Sequence, residues 1–596
     1  MPVYRVVAYR TALNSLRKNY PMHLRKFAVT ALLASFLGPF GGAANQAPSI
    51  PPAATPLLDI MAAELDRAMK SLGKGEQSNQ PPPYFISYDA HDVTGLSILA
   101  QQGAILHSIE SHQRTADISV RVGDTKLDNT HGSRRNTAMH SIVLPLSDDR
   151  AAVSRSLWWG TNTGYSNALK SYLKVKTETG VRAEEEDKSP DFSHQDAVHG
   201  ESAFVKPQEI DRNAWEQRIR SLSSIFKAHP QIANNLVGLT VSTENDFFVS
   251  SEGTRLAYPH QLARIVVVAS TRADDGMDLS LVHTFEGESQ QQLPSQEELE
   301  RQLGLLATQL DKLRSAPPAE PFNGPALLSG RAAAVYFHEV LGHRLEGQRQ
   351  RGVQEGETFT KDVGKPILPT FLSVSDDPTR RQFGNITLNG YYLYDDEGQP
   401  AQKVNLIENG VLQHFLMSRM PIANFSTSNG HGRAQDGKMP TGRQGNLIVT
   451  SSKTVSDKAL RQLLIDEIKK QNKPYGLYFE DIASGYTLTQ RVLPQAFQVI
   501  PMVVFRVYAD GRPDELVRGV SIVGTPQAAL TRIIATGDKQ DVFNGECGAE
   551  SGSIPVSAVA PAMVFSEMET QKAAQGNARP PILPAPGAEQ ETTGVK

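Results

Sequence analysis

The tightest constraint on the fold lies in Tyr336-Phe337-His338-Glu339-Val340-Leu341-Gly342-His343-Arg344-Leu345-Glu346-Gly347. The helix formers Ala332 to Ala334 precede it and apolar residues flank it, so it reads as a helix sunk in a core. That helix must carry two imidazoles and a carboxylate, and buried polar groups need partners. A metal supplies one. Neutral imidazoles are good zinc ligands, and a Glu beside the first His is placed to activate a metal-bound water. Common zinc helices space their histidines at i and i+4, on one face. Here the spacing is i and i+5, which sets the two side chains roughly 140° apart on a regular helix. A one-residue π-bulge, or a helix that breaks after its first ligand, restores convergence, and Gly342 permits either. An irregular helix is therefore expected over Val340 to His343. Taken alone, the pair also fits two hydrogen-bonded core histidines, and a third ligand would decide.

The chain has 596 residues, enough for several domains with large cores. Its net charge is -4 and it has no basic block beyond short N-terminal clusters, so nucleic acid is not an expected partner. Near the N-terminus, Met22-His23-Leu24-Arg25-Lys26 is a short basic region, Phe27 to Leu37 an apolar one, and Gly42-Ala43-Ala44 a small-residue cleavage signal. The reading is a secretory signal peptide and an exported, periplasmic protein. The alternative is an N-terminal helix packed on a cytoplasmic chain. Eleven apolar-rich residues are too few to span a bilayer, so no stable membrane anchor is expected after cleavage. A single cysteine, Cys547, excludes an internal disulfide.

The chain divides into a signal region (1–44), an N-terminal α+β domain (45–320), a C-terminal domain (321–574) and a disordered, Pro/Ala/Gly/Glu-rich tail (575–596). Ala316-Pro317-Pro318-Ala319-Glu320-Pro321 is the sharpest boundary. The first domain alternates helical periodicity with short strand patterns at 84–88, 96–99, 104–113, 115–122, 236–243, 246–251, 254–258, 263–270 and 278–284, implying a mixed or antiparallel sheet. Trp158-Trp159 reads as core packing. Arg182 to Lys206, with Glu184-Glu185-Glu186-Asp187 inside it, reads as a solvated insertion. The second domain carries many short strand patterns, 387–394 among them, with hairpin signals at Glu408-Asn409-Gly410 and Asp510-Gly511. It reads as a β-rich, barrel-like or sandwich-like domain bearing the histidine helix, and the fold class as α+β.

Cys547 lies in Asn544-Gly545-Glu546-Cys547-Gly548, a setting that reads as a turn-rich loop. A thiolate with two imidazoles leaves one open zinc position, as catalytic sites use, but sequence spacing alone does not place it beside the histidines. The blocks His338 to His343, Leu345-Glu346-Gly347, Tyr394-Asp395-Asp396-Glu397-Gly398, Leu406 to Leu412, Asn544 to Gly548 and Ile554-Pro555-Val556 together resemble the TldD/PmbA metalloprotease family over roughly the C-terminal half. The resemblance implies a Zn2+ held by His338, His343 and Cys547, with Glu339 as general base. It implies hydrolysis of unfolded or short peptides and a homodimer or a heterodimer with a PmbA-like subunit that lacks the metal motif. Gln348 departs from the acidic residue that follows Leu-Glu-Gly in the family.

The expected mechanism is attack of a metal-bound water on a peptide carbonyl with Glu339 moving the proton. Glu346 is a candidate for orienting a ligand, and His431 and Arg433 are candidates for contacting substrate or its oxyanion. Two other readings stay open: a non-catalytic peptide-binding or assembly protein with a structural zinc, and a metal-free hydrolase.

Overall fold

The computed structural model describes residues 56–74, 80–132, 138–179, 187–351, 356–490 and 496–573. The signal region and the tail lie outside the described residues. No described helix is long and apolar enough to cross a membrane.

The first half is a seven-stranded sheet: β1 (Pro83–Gln101), β2 (Ala104–Val122), β3 (Met139–Val143), β4 (His199–Glu201), β5 (Asn234–Ser250), β6 (Arg255–Arg272) and β7 (Asp278–Gly287). Its order is β3-β2-β1-β5-β6-β4, with β7 also on β6. All pairings are antiparallel except β4 with β6. One face is covered by α1 (Pro56–Ser71), α2 (Arg150–Thr179), α3 (Arg212–Ser224) and α4 (Gln296–Ser315). Strand alternation explains the division. On β1, Ile86, Tyr88 and Ala90 pack beneath α1 and α2, and Leu96, Ile98 and Ala100 join the core of α3 and α4. Phe85, Ser87, Asp89 and His91 point the other way, toward the C-terminal half.

Several expectations need correction. The short strands at 84–88 and 96–99 are one 19-residue strand, as are those at 104–113 and 115–122. Of the polar residues that suggested breaks, Asp89 and His91 face the second half, while Asp92 and Arg114 pair with each other on the opposite, helix-covered face. Trp158 and Trp159 are 41% and 62% exposed, because α2 turns Val153, Leu157, Tyr165 and Ala168 inward instead. The described part of the expected solvated insertion, 187–206, is partly buried. Asp191 bonds His131 at 2.8 Å and Arg351 at 3.3 Å, and Phe192 lies under Arg121, 3.8 Å from the ring centre.

The second half is a twelve-stranded sheet: β8 (Phe322–Leu328), β9 (Leu372–Asp376), β10 (Val404–Glu408), β11 (Val411–Leu412), β12 (Asn446–Ser451), β13 (Thr454–Val455), β14 (Gly476–Thr487), β15 (Phe497–Val507), β16 (Glu515–Val517), β17 (Val520–Gly524), β18 (Ile533–Ala549) and β19 (Gly552–Lys572). Five of them, in the order β19-β17-β15-β14-β8, close on themselves because β8 also pairs with β19. Closure removes both edges of that part of the sheet. The β10–β11 hairpin uses Asn409 and Gly410 at φ of 49° and 80°, the left-handed pair that a two-residue turn requires. The expected strand at 387–394 is reduced to Ile386–Thr387, because the amides of Asn389 and Gly390 donate to the Ser557 hydroxyl.

Helix α5 (Gly330–Val340) carries the first histidine, and Ser329 caps it by accepting the Ala332 amide at 3.0 Å. Every residue of α5 except Arg331 is buried, as befits a helix apolar on all sides. Tyr336 meets Phe497 and Phe565 edge to face at 5.8 and 5.3 Å, fixing α5 against two barrel strands.

Candidate metal centre

The α-helix stops at Val340, and Gly342–Leu345 continue as a 3-10 turn. The change of winding lies between the histidines, where the five-residue spacing requires it. Gly342 is needed for space: a Cβ there would collide with the side-chain amide of Gln444. The two rings stand edge to face with centres 4.9 Å apart.

The thiol comes from the far end of the domain. Cys547 is not in a loop; it lies on β18, opposite Ile554 of β19, and the turn follows at Glu550 and Ser551. The sulfur is 3.4 Å from His343 Nε2, and one donor atom from each of His338, His343 and Cys547 lies within 4.8 Å of the others. All three residues are buried. Nitrogen and sulfur on one tetrahedral zinc, at about 2.05 and 2.3 Å, would stand roughly 3.5 Å apart. His338 Nδ1 is buried without a hydrogen-bond partner among the described residues. Two imidazoles and a thiol are a zinc-type donor set, so this chain's residues fit such an ion.

Electrostatics favour the ligating form of the sulfur. Burial opposes a thiolate, yet His343, His338 and Arg443 outweigh it and hold the Cys547 thiol well below its ordinary range. Burial pushes the Glu339 carboxyl up, offset in part by the two histidines. Its Oε2 lies 3.8 Å from His343 Nε2 and its Oε1 accepts the Gly485 amide at 3.2 Å.

Behind the trio is a polar network that sequence reasoning found only at Glu346. The Oε1 of Glu346 is 3.0 Å from His343 Nδ1, and its Oε2 accepts from Arg349 Nε at 2.7 Å. Arg443 donates to the Cys547 carbonyl at 2.7 Å and approaches Glu346 at 3.4 Å. Arg349 also reaches Glu550 at 3.0 Å, and Gln348 donates to the same carboxylate at 2.9 Å. A side-chain amide here takes the place of an acid beside Glu550. Arg443, Arg349 and Glu550 carried no sequence signal beyond charge.

The two substrate candidates lie elsewhere. His431 is fully buried, with Nδ1 2.9 Å from the Asn429 carbonyl and Nε2 3.3 Å from Asp376. Arg433 donates to the carbonyls of Gln444 and Pro555 at 3.1 and 2.8 Å and lines a separate acidic cavity.

Comparison with known proteins agrees with this architecture. Residues 322–572 match the PmbA/TldA metallopeptidase C-terminal domain. A protein named metalloprotease from Methanothermobacter thermautotrophicus is 27% identical over 341 residues, 55% of this chain and 68% of that protein. A metalloprotease TldD homolog from Buchnera aphidicola is 26% identical over 249 residues, 41% of this chain, so the match spans about half (47%) of that relative's length. The solved structure of TldE from Thermococcus kodakarensis superposes with a TM-score of 0.54 at 14% identity, covering 86% of this chain and all (100%) of that one, which places the fold in the same class. Residues 322–572 thus match the C-terminal domain of the PmbA/TldD family, and these relatives support membership of the chain in it.

Proposed function

We propose that the chain is a zinc-dependent peptidase acting on unfolded or short peptides. The observation that carries this reading is the meeting of His338, His343 and Cys547 with the Glu339 carboxylate in one buried place. Relatives named metalloproteases support it. His338, His343 and Cys547 would hold the zinc, which when bound polarises a carbonyl and makes water more acidic. Glu346 fixes the His343 ring through Nδ1, leaving Nε2 directed toward the sulfur. Glu339 Oε2 takes the proton of the attacking water and returns it to the departing amine nitrogen. The Gly485 amide holds the other oxygen, so the carboxylate cannot swing away.

Glu339→Gln keeps the shape and removes the base. Peptide cleavage should fall at least about a hundredfold with zinc content unchanged, whereas Cys547→Ser should lose the zinc itself. Full cleavage in the Gln variant would overturn the catalytic reading and leave a peptide-binding protein with a structural ion. Cleavage that survives chelation would mean a metal-free hydrolase. Assembly with a second relative lacking the metal helix rests on the likeness to TldE, and the native mass of the purified protein decides it.

A further inference from the structure

The face of the N-terminal sheet turned toward the C-terminal half carries a concentration of acid. Alternation along β1 puts Asp89 and His91 on that face, and the register sets Asp246 of β5 directly opposite His91. Glu244 follows two residues along β5 on the same side. The C-terminal half adds Asp396 and Asp436, and together they line a cavity of about 80 Å3. Ser553 to Pro555 form part of its wall, and Ile554 pairs with Cys547, so one strand separates this cavity from the thiol.

Nearby cations offset this charge only in part, Arg433 acting on Asp396. Arg121 pairs with Asp128 at 2.7 Å, Arg419 with Glu252 at 2.6 Å, and Arg433 is turned to backbone carbonyls. Lys438 is exposed at the rim. Glu244 is only 2% exposed, and its Oε2 has no hydrogen-bond partner among the described residues; Asp89 Oδ1 has none either. An orphaned buried carboxylate oxygen is costly unless a cation meets it.

His91 shows where that cation belongs. Its Nδ1 donates to Asp246 Oδ1 at 2.8 Å and lies 3.2 Å from Glu244 Oε1. Its Nε2 stands 3.8 Å from Asp89 Oδ2 and 3.8 Å from Asp436 Oδ1. Those separations are too long for hydrogen bonds, and one donor atom from each of His91, Glu244 and Asp436 lies within 4.8 Å of the other two. A carboxylate behind the imidazole and a free nitrogen in front is how proteins orient a histidine ligand.

We propose that His91, Glu244 and Asp436 form a second divalent-cation site, with Asp246 orienting the imidazole and Asp89 and Asp396 adding their field. One imidazole among oxygens suits Mn2+ or Mg2+ better than the thiolate centre does. The ion joins β1 to the 434–440 loop and so clips the N-terminal sheet to the C-terminal half.

The test is titration of the zinc-loaded full chain with Mn2+, following the free ion by electron paramagnetic resonance. One Mn2+ should bind per chain and raise the unfolding temperature. Asp436→Asn and His91→Gln should each weaken it at least tenfold without changing zinc content. Cys547→Ser should leave Mn2+ binding at one per chain, which separates this site from the zinc centre. A wild-type chain that takes up no Mn2+ and is not stabilised by Mn2+, Mg2+ or Ca2+ overturns the proposal. So do Asp436 and His91 variants that bind as wild type does.

Discussion

Glu346 has 0% side-chain exposure and touches no candidate substrate position; it acts on His343, with two arginines sharing its charge. Replacing Glu346 by Gln removes the charge that fixes the ring tautomer, so zinc affinity should fall about 10- to 100-fold with little change in secondary structure, measured by competition with a chelator. At this scale the sequence was most informative where chemistry is contiguous. His338, Glu339 and His343 sit within six residues, and the structure brings Cys547 to them. It was silent where a role depends on distant register. Arg443 matters because it donates to the carbonyl of Cys547, some hundred residues on, and nothing near Arg443 in sequence says so. The acidic cavity was missed for a related reason. Asp89, His91 and Asp92, and Glu244, Asn245 and Asp246, are polar stretches that ordinarily mean a surface in water, and the second half covers the face that carries Asp89, His91, Glu244 and Asp246.

Among the elements, α5 with its 3-10 extension followed from spacing alone, since five residues between ligands cannot stay on one helical face. What spacing did not disclose is why residue 342 is glycine. The constraint is the Gln444 side chain, which also donates to the His338 carbonyl at 3.4 Å. Gly342→Ala should therefore destabilise the protein by about 1–3 kcal/mol through overpacking, read as a lower denaturant midpoint, and should disturb zinc binding in parallel. Strand lengths were the least legible feature. Long antiparallel strands with a polar middle look like successive short strands: Asp92 pairs with Arg114 midway along β1 and β2, and Glu244, Asn245 and Asp246 interrupt the apolar run of β5 while still pairing with β6.

Across the whole molecule, stability depends on charges held between the two halves. His260, opposite Glu244 on β6, is buried, and burial lowers its proton affinity to about 4. Its unfolded value is near 6.5, so between those pH values the unfolded chain binds more protons than the folded one, and stability falls as pH falls. In chelator, wild type should lose on the order of 2 kcal/mol more than His260→Gln between pH 7 and pH 5, measured by urea midpoints. A variant that follows wild type across that range would show that His260 is not the group responsible.

The thiol follows the second imidazole by 204 residues and arrives on the penultimate strand of the domain. At about 5–20 residues per second of synthesis, a growing chain displays its imidazole pair for roughly 10–40 s before the sulfur exists. An ion held by all three of these side chains would therefore load late, once the final hairpin has emerged and docked.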